Sequence, residues 1–439
     1  MTPVARFLPF LVSGALAAGC ADTHPSGPRS ALSFDRSTAP GLDQACSDKP
    51  GEHLARRPNA PLALLCALTL PQGSQPILNG TKSWVDGGRY YVTELKNASV
   101  YIFDAVGTHN YVGRVTGFVG ATLNADGTTN GARSGPNSIT FSGDGHAWVS
   151  DGISAVRVVD LSSRAIVATI STAITACGTT CQRTNEITFD PEHRIVFVQN
   201  PSPLSGGAPI DTYGTFISAD PPYTVLGTIT FTNRRGQEAP LWDPDQHRIV
   251  TAVSGRLVGT TVFQQYVAVI DPTVRPFTVE RKYDIDCFAL GLAATPGAVF
   301  GINDPALGPV EHLVIPGCGR ALIIDLLTVT GDIKVMPVGG GNETWYNPGD
   351  GNFYVTGADF SVTPAGPNSL GVIDARSSTV LQYVTALNAT NPAAAAENNL
   401  IFASVPARGG DTTTACTRFG LAYQHSGCIA VFAHVPGSE

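Results

Sequence analysis

GPNSITFSGDGHAWVSDGISAVRVVDLSSRAIVATI, residues 135–170, decides the fold. Apolar and polar residues alternate in short runs, and turn formers such as Gly-Asp-Gly separate the runs. That is the pattern of antiparallel strands joined by tight turns. Its central phrase, VRVVD ending at Asp160, recurs: VYIFD ends at Asp104, VAVID at Asp271, LIID at Asp325 and GVID at Asp374. A degenerate copy, TFISAD, ends at Asp220, and a last one, IAVFAH, ends at His434. From 104 to 434 is 330 residues in six steps, a mean of 55. A second phrase, strand then turn then strand, precedes the copies: ITFSGDGHAWVSD from Ile139, ITFDPEHRIVFVQN from Ile187, PLWDPDQHRIVTAV from Pro240 and TWYNPGDGNFYVTG from Thr344. Looser versions lie at Ala293–Ile302 and Ala394–Ser404. Seven units of four short strands predict an all-β chain, a seven-bladed β-propeller.

Composition agrees. Of 439 residues only 14% are charged, while 47 Gly and 32 Pro supply many turns and 43% hydrophobic residues supply a core. A net charge of −8 and Lys at only positions 49, 82, 96, 282 and 334 offer phosphates no basic stripe, so no nucleic-acid partner is expected. The last unit ends at Glu439, five residues after its third strand. A segment between Pro61 and Asn79 is therefore expected to return and close the last blade, because an open blade would leave an unpaired sheet edge.

The first twenty residues, MTPVARFLPFLVSGALAAGC, carry one Arg and then an apolar run from Phe7 to Ala18 that is too short to span a bilayer, which reads as an export signal. The ending Leu16-Ala17-Ala18-Gly19-Cys20 resembles a bacterial lipobox, which implies lipidation at Cys20; the alternative is an ordinary signal peptide cleaved near Ala18. Residues 21–61 read as a flexible tether and 62–439 as the propeller, periplasmic or surface-exposed and held to the membrane only through the lipid. Eight further cysteines fit a disulfide framework in an oxidising compartment. Proximity suggests Cys46 with Cys66, Cys177 with Cys181, Cys287 with Cys318, and Cys416 with Cys428.

Residues 135–170 resemble the repeat of the YVTN-type bacterial surface propellers, which share a Pro-Asn, a "V-x-V-x-D" strand and a closing "V-V-A-T-I" strand. EAPLWDPDQHRIV, from Glu238 to Val250, is similar to the opening strand of the SMP-30/gluconolactonase group. That second resemblance implies a divalent ion that polarises a lactone carbonyl, with Glu238 and Asn137 at matching positions.

Aligning the units on the aromatic before the turn (Phe141, Phe189, Trp242, Tyr346) places Asn137, Asn185, Glu238 and Asn342 in register. One place further on stand Ser138, Glu186, Ala239 and Glu343. The start of each unit's first strand faces the propeller axis, so Glu186, Glu238, Glu343, Asn137, Asn185 and Asn342 are expected to converge on the channel mouth. Such oxygens would suit Ca²⁺ or Mg²⁺; a structural polar ring is the other reading. Unit five offers only Ala-Leu-Gly-Leu (289–292) there, and unit seven Ala393–Ala396. The long stretches Pro201–Thr212, Pro305–Gly319 and Ala407–Gly427 are expected to be insertions that form a binding surface. No catalytic residue can be assigned: there is no G-x-S-x-G, H-E-x-x-H or Walker loop. The expected function is that of a monomeric binding module for a small molecule or an envelope protein. The alternative is a divalent-cation-dependent hydrolase or lactonase.

Overall fold

A computed structural model describes residues 61–77, 82–174, 182–200, 211–234, 236–258, 261–297, 301–341, 343–358, 360, 368–385, 389–407, 416 and 426–434. All lie in one compact unit. Seven four-stranded antiparallel sheets follow one another as the blades of a β-propeller. Their inner strands are Ser83–Asp86, Ile139–Phe141, Ile187–Asp190, Gln237–Asp243, Ala306–Leu307, Thr344–Asn347 and Thr390–Ala395. Blade seven takes its outer strand from the N-terminal side: Leu62–Leu68 pairs antiparallel with Cys428–His434. The ring closes as the repeat requires.

The near-continuous apolar runs follow from burial on both faces. Ile195–Asn200 is buried at every residue, since blades pack on each side of it. Trp148, Val156 and Val158 of blade two meet Val196, Val198 and Ile217 of blade three. Tyr90 and Phe103 of blade one meet Phe402 and Val431 of blade seven. Outer strands face water on one side and alternate instead, as in Ala165–Ser171.

The recurrent aspartates end the third strands and hold the following turns. Asp160 accepts from Ser163 N–H at 2.7 Å, Asp271 from Thr273 N–H at 2.8 Å, Asp325 from Leu327 N–H at 2.9 Å and Asp374 from Ser377 N–H at 2.6 Å. The turns between first and second strands tie blade to blade on the same face. Arg194 pairs with Asp144 at 2.8 Å, and His247 meets Glu192 at 2.7 Å.

Blade five departs from the sequence reading. Pro305–Gly319, expected as a loop, contains its first two strands, Ala306–Leu307 and His312–Gly317, and residues 289–292 lie in a loop before them. Pro305, Pro309 and Pro316 interrupt the alternation that marks a strand.

The two ends of the ring differ. At the end where inner strands begin, connections between described strands include 117–138, 254–265, 285–305 and 406–427, and the second carries a hairpin of Arg256–Val258 with Thr261–Phe263. At the other end none exceeds eight residues. Disulfides join Cys287 to Cys318 and Cys416 to Cys428, at the loop-rich end, and Cys66 is also disulfide-bonded. They place the chain in an oxidising compartment. Cys46, Cys177 and Cys181 lie outside the described residues, as do most of 201–212 and 407–427. Among the described residues no helix is long and apolar enough to cross a membrane.

Candidate functional site

Each inner strand starts at the loop-rich end, and the residue at its mouth is set by pairing with the second strand. The positions equivalent to Glu186, which pairs with Gln199, are Lys82, Ser138, Glu238, Asp304, Glu343 and Thr390. Glu238 reaches this register through a bulge. Pro240 has no N–H to give the ladder, the pairing shifts between Glu238 and Leu241, and Glu238 ends opposite Ala252, one place further along than the sequence alignment puts it. The bulge also frees the Ala239 N–H, which donates to Asp304 Oδ1 at 3.1 Å.

Lys82 stands among the carboxylates. Its ammonium lies 3.2 Å from Glu186 Oε1 and contacts Asp304 and Glu343 directly. Burial opposes the charge on Lys82, but Asp304, Glu186 and Glu343 outweigh it, and its pKa is raised well above the ordinary lysine value. Glu238, Asp304 and Glu343 are raised too, which for a carboxyl favours the neutral form. Burial, then the charge of Asp304, lifts Glu238 to about 8 against the pull of Lys82. Burial lifts Asp304 to about 6, with Lys82 opposing, and Glu343 is raised well above its usual range, again by burial first. Arg183 is the other cation nearby, its pKa lowered by burial. Four carboxylates face two cations, a formal excess of two negative charges.

The asparagines one residue earlier act as props. Asn137 Nδ2 donates to Glu186 Oε1 and to Asn185 Oδ1, both at 3.2 Å. Asn185 Nδ2 donates to Glu238 Oε2 at 3.0 Å, and its Oδ1 accepts from Arg183 at 3.1 Å. Asn342 lies outside the described residues.

Two cavities meet at this cluster. One, of about 440 Å³, opens toward the loops and is lined by Arg183, Asn185, Gln237, Glu238 and Asn303, among others. The second, of about 200 Å³, lies deeper and is walled largely by apolar residues, including Trp84, Leu241 and Trp345. Lys82, Glu186 and Asp304 line both. Trp84 and Trp345 meet edge to face at 5.0 Å. Trp345 of blade six packs against Ala393–Ala395 of blade seven, while Trp84 packs on the seam of blades one and two.

The structure thus brings together Glu186, Glu238, Glu343, Asn137 and Asn185, and adds Lys82, Asp304 and Arg183. A signal for Asp304 was present: Asn303-Asp304 repeats the Asn-acidic pairs at 185–186 and 342–343. Oxygens of Glu186, Glu238 and Asp304 lie within 4.8 Å of one another. In comparison with known proteins, no family model matches the chain and no curated protein matches it.

Proposed function

We propose that the chain is an exported, lipid-anchored propeller that binds a small polar molecule at its channel mouth. The observation that carries this reading is the mouth cavity of about 440 Å³, floored by the charged cluster at the end of the ring that bears the long connections. Buried carboxylates in excess of their counter-charges are costly to packing alone; a site for a charged ligand gives them a use. The rings of Trp84 and Trp345 line the apolar cavity beneath it. The likeness of residues 135–170 to the YVTN-type surface propellers, and the lipobox-like ending at Cys20, support display outside the cytoplasm.

A second reading, a divalent-cation-dependent hydrolase of the SMP-30 kind, is favoured by the convergence of Glu186, Glu238 and Asp304 within 4.8 Å. These three would hold Ca²⁺ or Mg²⁺, whose two charges match the local excess, with Lys82 competing for Glu186 and Asp304 as it does for Glu343. The ion would polarise a bound carbonyl or water. The side chains themselves orient it: Asn137 and Asn185 fix two of the carboxylates, and Lys82 takes a place among them that a bare ion site would leave open.

One experiment tests both. The full-length protein and Glu238→Ala are melted with a panel of small polar compounds and, separately, with Ca²⁺ and Mg²⁺ alone, beside elemental analysis of the purified protein. A ligand at a hundredfold excess over its Kd stabilises by about 2.7 kcal/mol. A shift from an organic compound that is lost in Glu238→Ala supports the binding reading. A shift from the ions, lost in the same variant, moves the weight to the second. Shifts of equal size in both proteins overturn the placement of the site.

A further inference from the structure

We infer that the mouth cavity recognises a zwitterion, an α-amino acid or a molecule ending in one, with its carboxylate on Arg183 and its ammonium on Glu238. This rests on the placement of the ligand site at the mouth and names the class of ligand. The cavity presents a cation and a carboxyl on one wall, and an arriving ammonium would favour the ionised form of that carboxyl. Glu238 belongs to the acidic cluster, while Arg183, partly buried, has no ion-pair partner among the described residues. Among the described residues its guanidinium makes one hydrogen bond, to Asn185 Oδ1, and so keeps most of its donors for another group.

Asn185 shows the spacing. It spans the two charges, its carbonyl oxygen accepting from Arg183 at 3.1 Å and its amide nitrogen donating to Glu238 at 3.0 Å. An acceptor toward the guanidinium and a donor toward the carboxylate, a few ångströms apart, is the order a free amino acid offers with its own carboxylate and ammonium. A further acceptor waits in the wall. Gln237, 2% exposed, lines the same cavity; its Nε2 donates to Thr212 at 3.1 Å, and its Oε1 has no donor among the described residues. An ammonium has three N–H groups to distribute, and a buried acceptor without a donor is costly until one arrives. Lys82 already demonstrates that a primary ammonium suits the neighbouring carboxylates.

The test is binding of the twenty common L-amino acids to the full-length protein by calorimetry and thermal shift. For any that bind, the carboxyl amide and the N-acetyl derivative are measured beside the parent. The expected result is binding of the zwitterion and at least a tenfold loss on blocking either end. Arg183→Gln should weaken the zwitterion at least tenfold and leave the amide unchanged, and Glu238→Gln should do the same relative to the N-acetyl derivative. The blocked ligands need no variant, so a misfolded variant leaves the test intact. Derivatives that bind as tightly as the parent, or the absence of binding by every amino acid, overturn the inference. In either case a Glu238-dependent shift with another compound would preserve the mouth as the ligand site, and only the loss of both would remove it.

Discussion

At the residue scale the mouth cluster is a set of charges that the fold cannot fully neutralise, and protons take up the remainder. Glu238 titrates at about 8 and Asp304 at about 6 in the folded chain, against about 4 for ordinary carboxyls in the unfolded one. The native state therefore holds protons that the unfolded state has released, and stability falls as pH rises from about 4 to about 8. Below that window both states are protonated and above it both are ionised, so the loss levels off. Calorimetric melting from pH 5 to 8.5 should show the midpoint dropping by several degrees, with Glu238's share steepest near pH 6 and dominant above it, where Asp304 is already ionised. Glu238→Gln, which cannot ionise, should flatten the curve there; an unchanged slope would place the proton elsewhere. The acidic register itself was legible in Glu186, Glu238 and Glu343. Asp304 was hidden because the prolines around it mask blade five, and Lys82 because nothing about a lone lysine marks it as the cation of a buried cluster. The place of Glu238 depends on a bulge, and a bulge is set by pairing with a strand that alignment of inner strands leaves out.

Elements show the same division between pattern and packing. Strand alternation and turn chemistry carry six blades almost directly, since each strand has to bury alternate or all residues and each turn needs its Asp or Gly. Blade five has the burial without the alternation. Its second and third strands, His312–Gly317 and Arg320–Asp325, are buried nearly throughout, but proline breaks the first pair where the eye looks for a run. Blade seven is the reverse case. Its Ala393–Ala395 look like a featureless side of the channel, and they make room for Trp345 of blade six, which packs against them and meets Trp84 of blade one edge to face. The pair carries weight in the fold and lines the apolar cavity beneath the cluster. Trp345→Ala should cost about 2–3 kcal/mol, below the range for a fully buried tryptophan because the ring is half-buried. Urea denaturation would measure it. A cost under about 0.5 kcal/mol, that of an ordinary surface change, would show that the two rings do not support the channel.

For the whole molecule the decisive contact is the one that turns a row of blades into a ring. Leu62–Leu68 pairs along Cys428–His434 and buries Leu62, Cys66, Ala67 and Leu68 in the seams on either side. Gln382 of blade six brackets it from the next sheet, accepting from Leu62 N–H at 2.7 Å and donating to Leu62 carbonyl at 3.0 Å. The strand therefore joins blades six and seven as well as completing the seventh. The repeat pointed to it, because seven units of four need a twenty-eighth strand and the apolar run after Pro61 can supply one. Removing residues 1–70 should leave Cys428–His434 as an open edge beside an exposed apolar seam, a template for pairing with another chain. The expected outcome is a melting temperature lowered by about 10 °C or more, since several buried side chains and a full ladder are lost together, and concentration-dependent association in sedimentation. A chain lacking only residues 1–45, which keeps both Cys46 and the strand, should keep the parent's stability and remain a monomer. Adding a synthetic peptide of residues 61–70 to the shorter chain should restore both properties, because the seam it fills is specific in register and shape. If the shorter chain melts like the parent, the ring is held by its blade seams alone and the strand is an ornament to it.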